Sequence, residues 1–200
     1  MDAFLTGFGI SLSLILAIGA QNAFVLKQGL LRQHVGVIVA ICIFVDAVLI
    51  AVGVASIGWI ASEASWITDV LLYGGAAFLV FYGAKSFYAA FSGTGALQAA
   101  GEKVQSWQAA VATCLAVTLL NPHIYLDTLV LVGSVSAQYP GQGVVFWCGA
   151  TTASALFFAL LGFGARLLAP FFARPRAWQV LDIFVGCVMW SIAVGLIWGG

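Results

Sequence analysis

The sequence predicts an all-α integral membrane protein with six transmembrane helices. They form two inverted-topology repeats of three, in which helices 1 and 4 are broken. Three observations lead there. Of 200 residues, 63% are hydrophobic and only 7% are charged, against about 25% charged in a soluble domain. The apolar residues fall into runs that reach the ~20 residues a spanning helix needs. Polar residues interrupt the leading run of each half. Seven basic and seven acidic side chains cannot cover a water-facing surface, and their balance leaves no basic patch for nucleic acid.

The first span is read as Phe4 to Leu26. Residues 3–26 carry no charge, yet the stretch GAQNAF (Gly19–Phe24) places Gln21 and Asn22 side by side near its end. Either they cap a helix terminus or they form a polar site. The second span runs from Val35 to Ile60, and Asp46 is its only charge. A straight count puts Asp46 ~16 Å into the helix, about mid-bilayer. A carboxylate at that depth costs at least ~2.5 kcal/mol, so it should face the bundle interior, paired or protonated. The structural alternative is a neutral acid bonded to a carbonyl.

The third span runs from Ile67 to Ala89, with Asp69 and Lys85 near its ends. The segment Ser92–Gln105, SGTGALQAAGEKVQ, then reads as a flexible linker. It divides one membrane domain into repeat one (about 1–91) and repeat two (about 106–200). The fourth span, Ser106 to Val135, contains Asn121-Pro122. Proline removes a backbone donor and frees a carbonyl in the preceding turn. Asn121 adds a carbonyl and two donors. Asp127 follows and is the only charge between Lys103 and Arg166. The alternative for this region is a plain proline kink, with Asp127 near the outer interface.

His123 and Tyr125 flank the break. A histidine there can carry protons, with a reference pKa near 6.5, or be fixed by hydrogen bonds. The fifth span runs from Gly143 to Leu168. Thr118, Thr151, Thr152 and Ser154 can line a path or bond to their own helices. The sixth span runs from Trp178 to Trp198. Its Gly186 and Gly195 repeat the spacing of Gly74 and Gly83 in the third. Asp182 reads as a helix-start carboxylate near Arg174 and Arg176. Lys27 and Lys85 are expected to snorkel to the interface. Trp59, Trp66, Trp107, Trp178 and Trp198 lie near span ends, as in an aromatic belt.

The basic residues fall in or beside the first, third and fifth connections. Lysine and arginine in short loops stay cytoplasmic, so both termini are expected outside. The four cysteines, Cys42, Cys114, Cys148 and Cys187, lie in apolar runs without a CxxC pair, as buried free thiols do. Without a histidine pair, a CxxC or a zinc cluster, an enzyme is not expected, and neither a cofactor nor a metal is. Two acids without a comparable buried base, beside two helix breaks, suit a cationic or zwitterionic solute. Paired breaks point to a transporter site at the repeat interface. A channel would need a continuous polar path, and polar residues here are few.

GAQNAFVLKQGL (residues 19–30), FVDA (44–47) and LLNPHIYLDT (119–128) resemble the LysE family of bacterial amino-acid exporters. The order of motifs and the length agree over essentially the whole chain. The first motif is similar to the branch that exports lysine and arginine. The neutral-amino-acid branch tends to carry Pro-Gly-Pro there. The resemblance implies a multi-pass protein of the bacterial inner membrane. It implies efflux of a basic amino acid, driven by the proton gradient or the membrane potential, and it makes Gln21, Asn22, Asp46, Asn121, Pro122 and Asp127 the positions that matter. His123, Tyr125, Thr118 and Thr151 remain candidates for a path or proton relay. The expected partners are the amino acid, protons or another coupling ion, and the lipid bilayer. The wider superfamily also holds exporters of metal cations, so another amino acid, a metal cation or a channel stay as alternatives. Small residues at Gly149–Ala153 permit close helix contacts within one subunit or between copies in a homo-oligomer.

Overall fold

A computed structural model describes residues 2–16, 19–56, 65–92, 105–168 and 170–198. The described residues are all helical or in short connections. Helices α1 (Asp2–Ile15) and α2 (Ala20–Leu31) are bent 80° from one another. Helix α3 is Val35–Ser56 and α4 is Ser65–Ser92. Helix α5 (Trp107–Leu119) is followed at 63° by a second bent partner, α6. This helix opens as Pro122–Tyr125, widens into a π-helix over Leu126–Val132 and closes as Gly133–Ser136. Helix α7 is Gly143–Gly164, extended by a 3-10 turn at Ala165–Leu168, and α8 is Pro175–Trp198.

Three stretches, Val35–Ala55, Gly143–Leu168 and Arg176–Gly195, are each long and apolar enough to cross a membrane. Each bent pair also passes when taken as one span, giving up to five among the described residues. Helix α4 stands where the third span was expected. The expected linker lies almost wholly outside the described residues, as do Lys103 and Trp59.

The interior is apolar, and so is much of the surface. Phe44, Val144 and Leu160 are exposed, at 69%, 74% and 73%, as side chains facing lipid tails should be. Close helix contact comes instead from glycine. A Cβ on Gly7 of α1 would strike the Phe146 carbonyl of α7, and one on Gly149 of α7 would strike the Phe4 carbonyl of α1. Gly29 of α2 abuts Gly162 and Ala165, and Gly53 of α3 abuts Thr128 and Leu129 of α6. Helices α4 and α8 pack reciprocally, with Gly83 against Trp190 and Gly186 against Phe87. Of the glycines with matched spacing, Gly195 meets nothing within 4 Å.

The first span departs from its expected end. The chain remains helical through Leu31 because its polar residues there have partners. Lys27 pairs with Asp182 of α8 at 2.5 Å, and Gln28 Nε2 donates to Gln105 Oε1 at 2.9 Å. Lys27 is only 12% exposed and does not snorkel. Asp182 is 1% exposed, so it is an interior carboxylate and not a surface helix start. Trp178 is likewise buried, donating to the Phe172 carbonyl instead of standing in a belt. Cys42 and Cys114 are buried as expected, but Cys148 and Cys187 are exposed.

Candidate functional site

A helix that stops inside a membrane leaves its last carbonyls and its first N–H groups without partners. Both bent pairs create such ends, and three of the four are met by a side chain near the break. At the first break, Asn22 Nδ2 donates to the Ile15 carbonyl at 2.7 Å, tying the end of α1 to the first turn of α2. Gly19 caps α2 with no side-chain hydrogen bond. At the second break, Asn121 Oδ1 accepts from the His123 backbone N–H at 3.2 Å. The Tyr125 hydroxyl donates to the Leu119 carbonyl at 2.8 Å. The two breaks therefore differ: the start of α6 is capped by a side chain and the start of α2 is not.

A cavity of about 250 Å³ lies between the breaks. Gln21, Asn22, Asp46, Asn121, His123 and Asp127 all line it. Apolar side chains, among them Ile15, Ile50 and Phe158, complete the wall. The volume is just below the ~300 Å³ lower end of small-molecule pockets, suited to a solute of amino-acid size. Asp46 is 3% exposed, and its Oδ2 accepts from Ser154 Oγ of α7 at 2.7 Å. One residue along, the Ala47 carbonyl accepts from Trp147 Nε1 at 2.8 Å, so α7 holds α3 at the acid and at the residue after it. The Gln21 Nε2 is buried and has no hydrogen-bond partner among the described residues. Asp127 sits in the π-helical turn, a winding that recurs at functional sites, and is half-buried.

The other sequence candidates lie elsewhere. Pro122 opens α6. Tyr125 and Thr118 do not line the cavity, and the Thr118 hydroxyl is buried without a partner among the described residues. Thr151 faces a separate surface groove with Trp147 and Cys148. Thr152 bonds to its own helix at the Cys148 carbonyl. Reading the sequence names Ser154 among four hydroxyls without joining it to Asp46, and names Lys27 and Asp182 without pairing them. A hydroxyl on the same helix as a threonine cluster was visible, but its face was not.

Across the chain, residues 12–200 match the family model described as LysE type translocator. The chain belongs to the LysE family. Among its LysE-family relatives, the arginine exporter protein ArgO of Serratia proteamaculans is 41% identical over 201 residues, covering 100% of this chain and 98% of the relative. ArgO of Pectobacterium carotovorum is 40% identical, covering 96% and 95%. A provisionally named amino-acid transporter of Mycobacterium bovis is 43% identical, covering 92% and 90%. No solved structure matches.

Proposed function

We propose that the protein is a secondary transporter that exports a basic L-amino acid, arginine or lysine, from the cytoplasm across the bacterial inner membrane. Export is coupled to the proton gradient or the membrane potential. One observation carries this reading. The cavity between the breaks sets two carboxylates, Asp46 and Asp127, against the Gln21 amide and the uncapped start of α2. A basic amino acid has the complementary charges. Its α-carboxylate suits the Gln21 amide donor and the positive N-terminal end of α2. Its ammonium or guanidinium suits the two acids, and a guanidinium can pair bidentately. The names of the full-length relatives favour arginine.

The architecture we infer is two inverted repeats of three spans. The first is the α1–α2 pair, α3 and α4; the second is the α5–α6 pair, α7 and α8. Breaks in the leading span of each half support it, as do α3 and α7 of 22 residues each. Inverted repeats with paired breaks place the solute at the repeat interface. The end of the bundle that gathers Lys27, Arg32, Arg166, Arg174 and Arg176 is assigned to the cytoplasm, which leaves both termini outside.

The test is efflux from cells loaded with dipeptides of arginine, lysine or neutral residues, or with divalent metals. Protein-dependent, saturable release of arginine or lysine is expected. Release of only neutral amino acids or metals, or flux without saturation, would replace this reading.

A further inference from the structure

Asp182 lies outside the cavity, yet it is more deeply buried than either cavity acid. Its Oδ1 holds Lys27 Nζ, and its Oδ2 has no hydrogen-bond partner among the described residues. A buried carboxylate with half its acceptor capacity unused depends heavily on its one cation. That cation comes from α2, the helix whose opposite end lines the cavity. Asp182 comes from α8. Tyr82 lies near enough to interact with the Asp182 charge. Its ring packs edge-on to Phe24 at 6.4 Å, in the same core as Leu181 and Val185.

The Lys27–Asp182 pair joins α2 to α8. A solute that leaves the cavity between these two helices parts them, and parting them takes Lys27 from Asp182. An uncompensated buried carboxylate is strongly destabilising, so another cation must replace Lys27. A basic amino acid carries one.

We propose that Asp182 is a second carboxylate station for the cationic side chain of the transported amino acid, at the cytoplasmic end of its path, and that Lys27 occupies it until the substrate displaces it. The inference rests on the basic-amino-acid reading above. It makes this end selective, because a neutral amino acid brings nothing to exchange for Lys27.

The test uses the full chain in liposomes, with arginine and lysine as probes. Initial rates are measured from the cytoplasmic face and thermal stability in detergent. Asp182→Asn should raise KM by about tenfold or more, the loss of one charge-assisted contact, in a protein that still folds. Lys27→Met should lower KM, since the competitor is gone. Exchanging the charges, Lys27→Asp with Asp182→Lys, should recover stability without recovering transport, because the station then repels the substrate. Wild-type KM in Asp182→Asn, or transport by the exchanged pair within about twofold of wild type, would make the pair a strut and overturn the station alone. Should a single variant fail to fold, the exchanged pair, which keeps both charges, decides. A wild type that carries neither arginine nor lysine overturns the functional reading and the station together.

Discussion

Asp46 and Ser154 each lie eleven residues past the first residue of a 22-residue helix, and their side chains meet at 2.7 Å. The acid that borders the cavity is thus held by the residue at the same position along α7. Asp46→Asn keeps the shape and removes the charge, so export should fall at least about tenfold, as the loss of a charged hydrogen bond implies. Ser154→Ala should cost less, a few-fold, and Ser154→Thr should restore part of it. Efflux at matched membrane expression measures both. Full activity in Asp46→Asn would remove the acid from the mechanism.

Asn22 does two things, lining the cavity and closing off the Ile15 carbonyl. Asn22→Leu should insert and fold, with a stability loss of about 1 kcal/mol for the missing bond, and should lose transport. Thermal unfolding and efflux on the same preparation separate the two effects. Unchanged export would reduce the residue to a cap within the membrane.

The glycine contacts predict where bulk is forbidden. Gly149→Val drives a side chain into the Phe4 carbonyl, and Gly29→Val meets Gly162 and Ala165. Overpacking of this kind costs about 1–3 kcal/mol. Gly9→Ala and Gly36→Ala, where nothing lies within 4 Å, should leave the melting temperature level or slightly higher. Equal melting temperatures for the two pairs would contradict the packing of α1 and α2 on α7.

Cys42 of α3 and Cys114 of α5 approach to 3.6 Å between sulfurs. Mild oxidation with copper phenanthroline, which takes two electrons and two protons from the pair, should give a Cys42–Cys114 disulfide within one chain. Peptide mass spectrometry would detect it. Cys148 and Cys187 are exposed and should remain outside that product. A pairing dominated by either of them would refute the arrangement of α3 against α5.

Orientation has its own measurement. A phosphatase that works only outside the cytoplasm, fused after Gly200, should be active. Activity of a cytoplasm-only reporter at the same site would invert the assignment of the basic end.

Much of this architecture is legible in the sequence, because lipid imposes simple rules. The bounds of α7 and α8 follow from apolar length, and Asn121-Pro122 marks the second break through proline chemistry. The first break was harder. No proline marks it, and the bend falls before Gln21, so the amide pair opens a helix where it was expected to interrupt one. Thr151 and Ser154 lie three residues apart on one helix. They are neighbours on its surface, and only the placement of α3 decides which one meets Asp46. Lys27 and Asp182 are far apart in sequence, and each resembles an ordinary helix-end charge until α2 and α8 are packed together.

The π-helical stretch Leu126–Val132 has a mechanical consequence. Its i→i+5 bonds hold more residues per turn than the 3.6 of an α-helix. It therefore acts as slack wound into the chain. Deleting one residue there, Leu129 for instance, would let the segment rewind as an ordinary α-helix. His123 and Asp127 would then swing about the axis as one body, while Gly133–Ser136 kept their seat. Asp127 faces the cavity from within that wider winding.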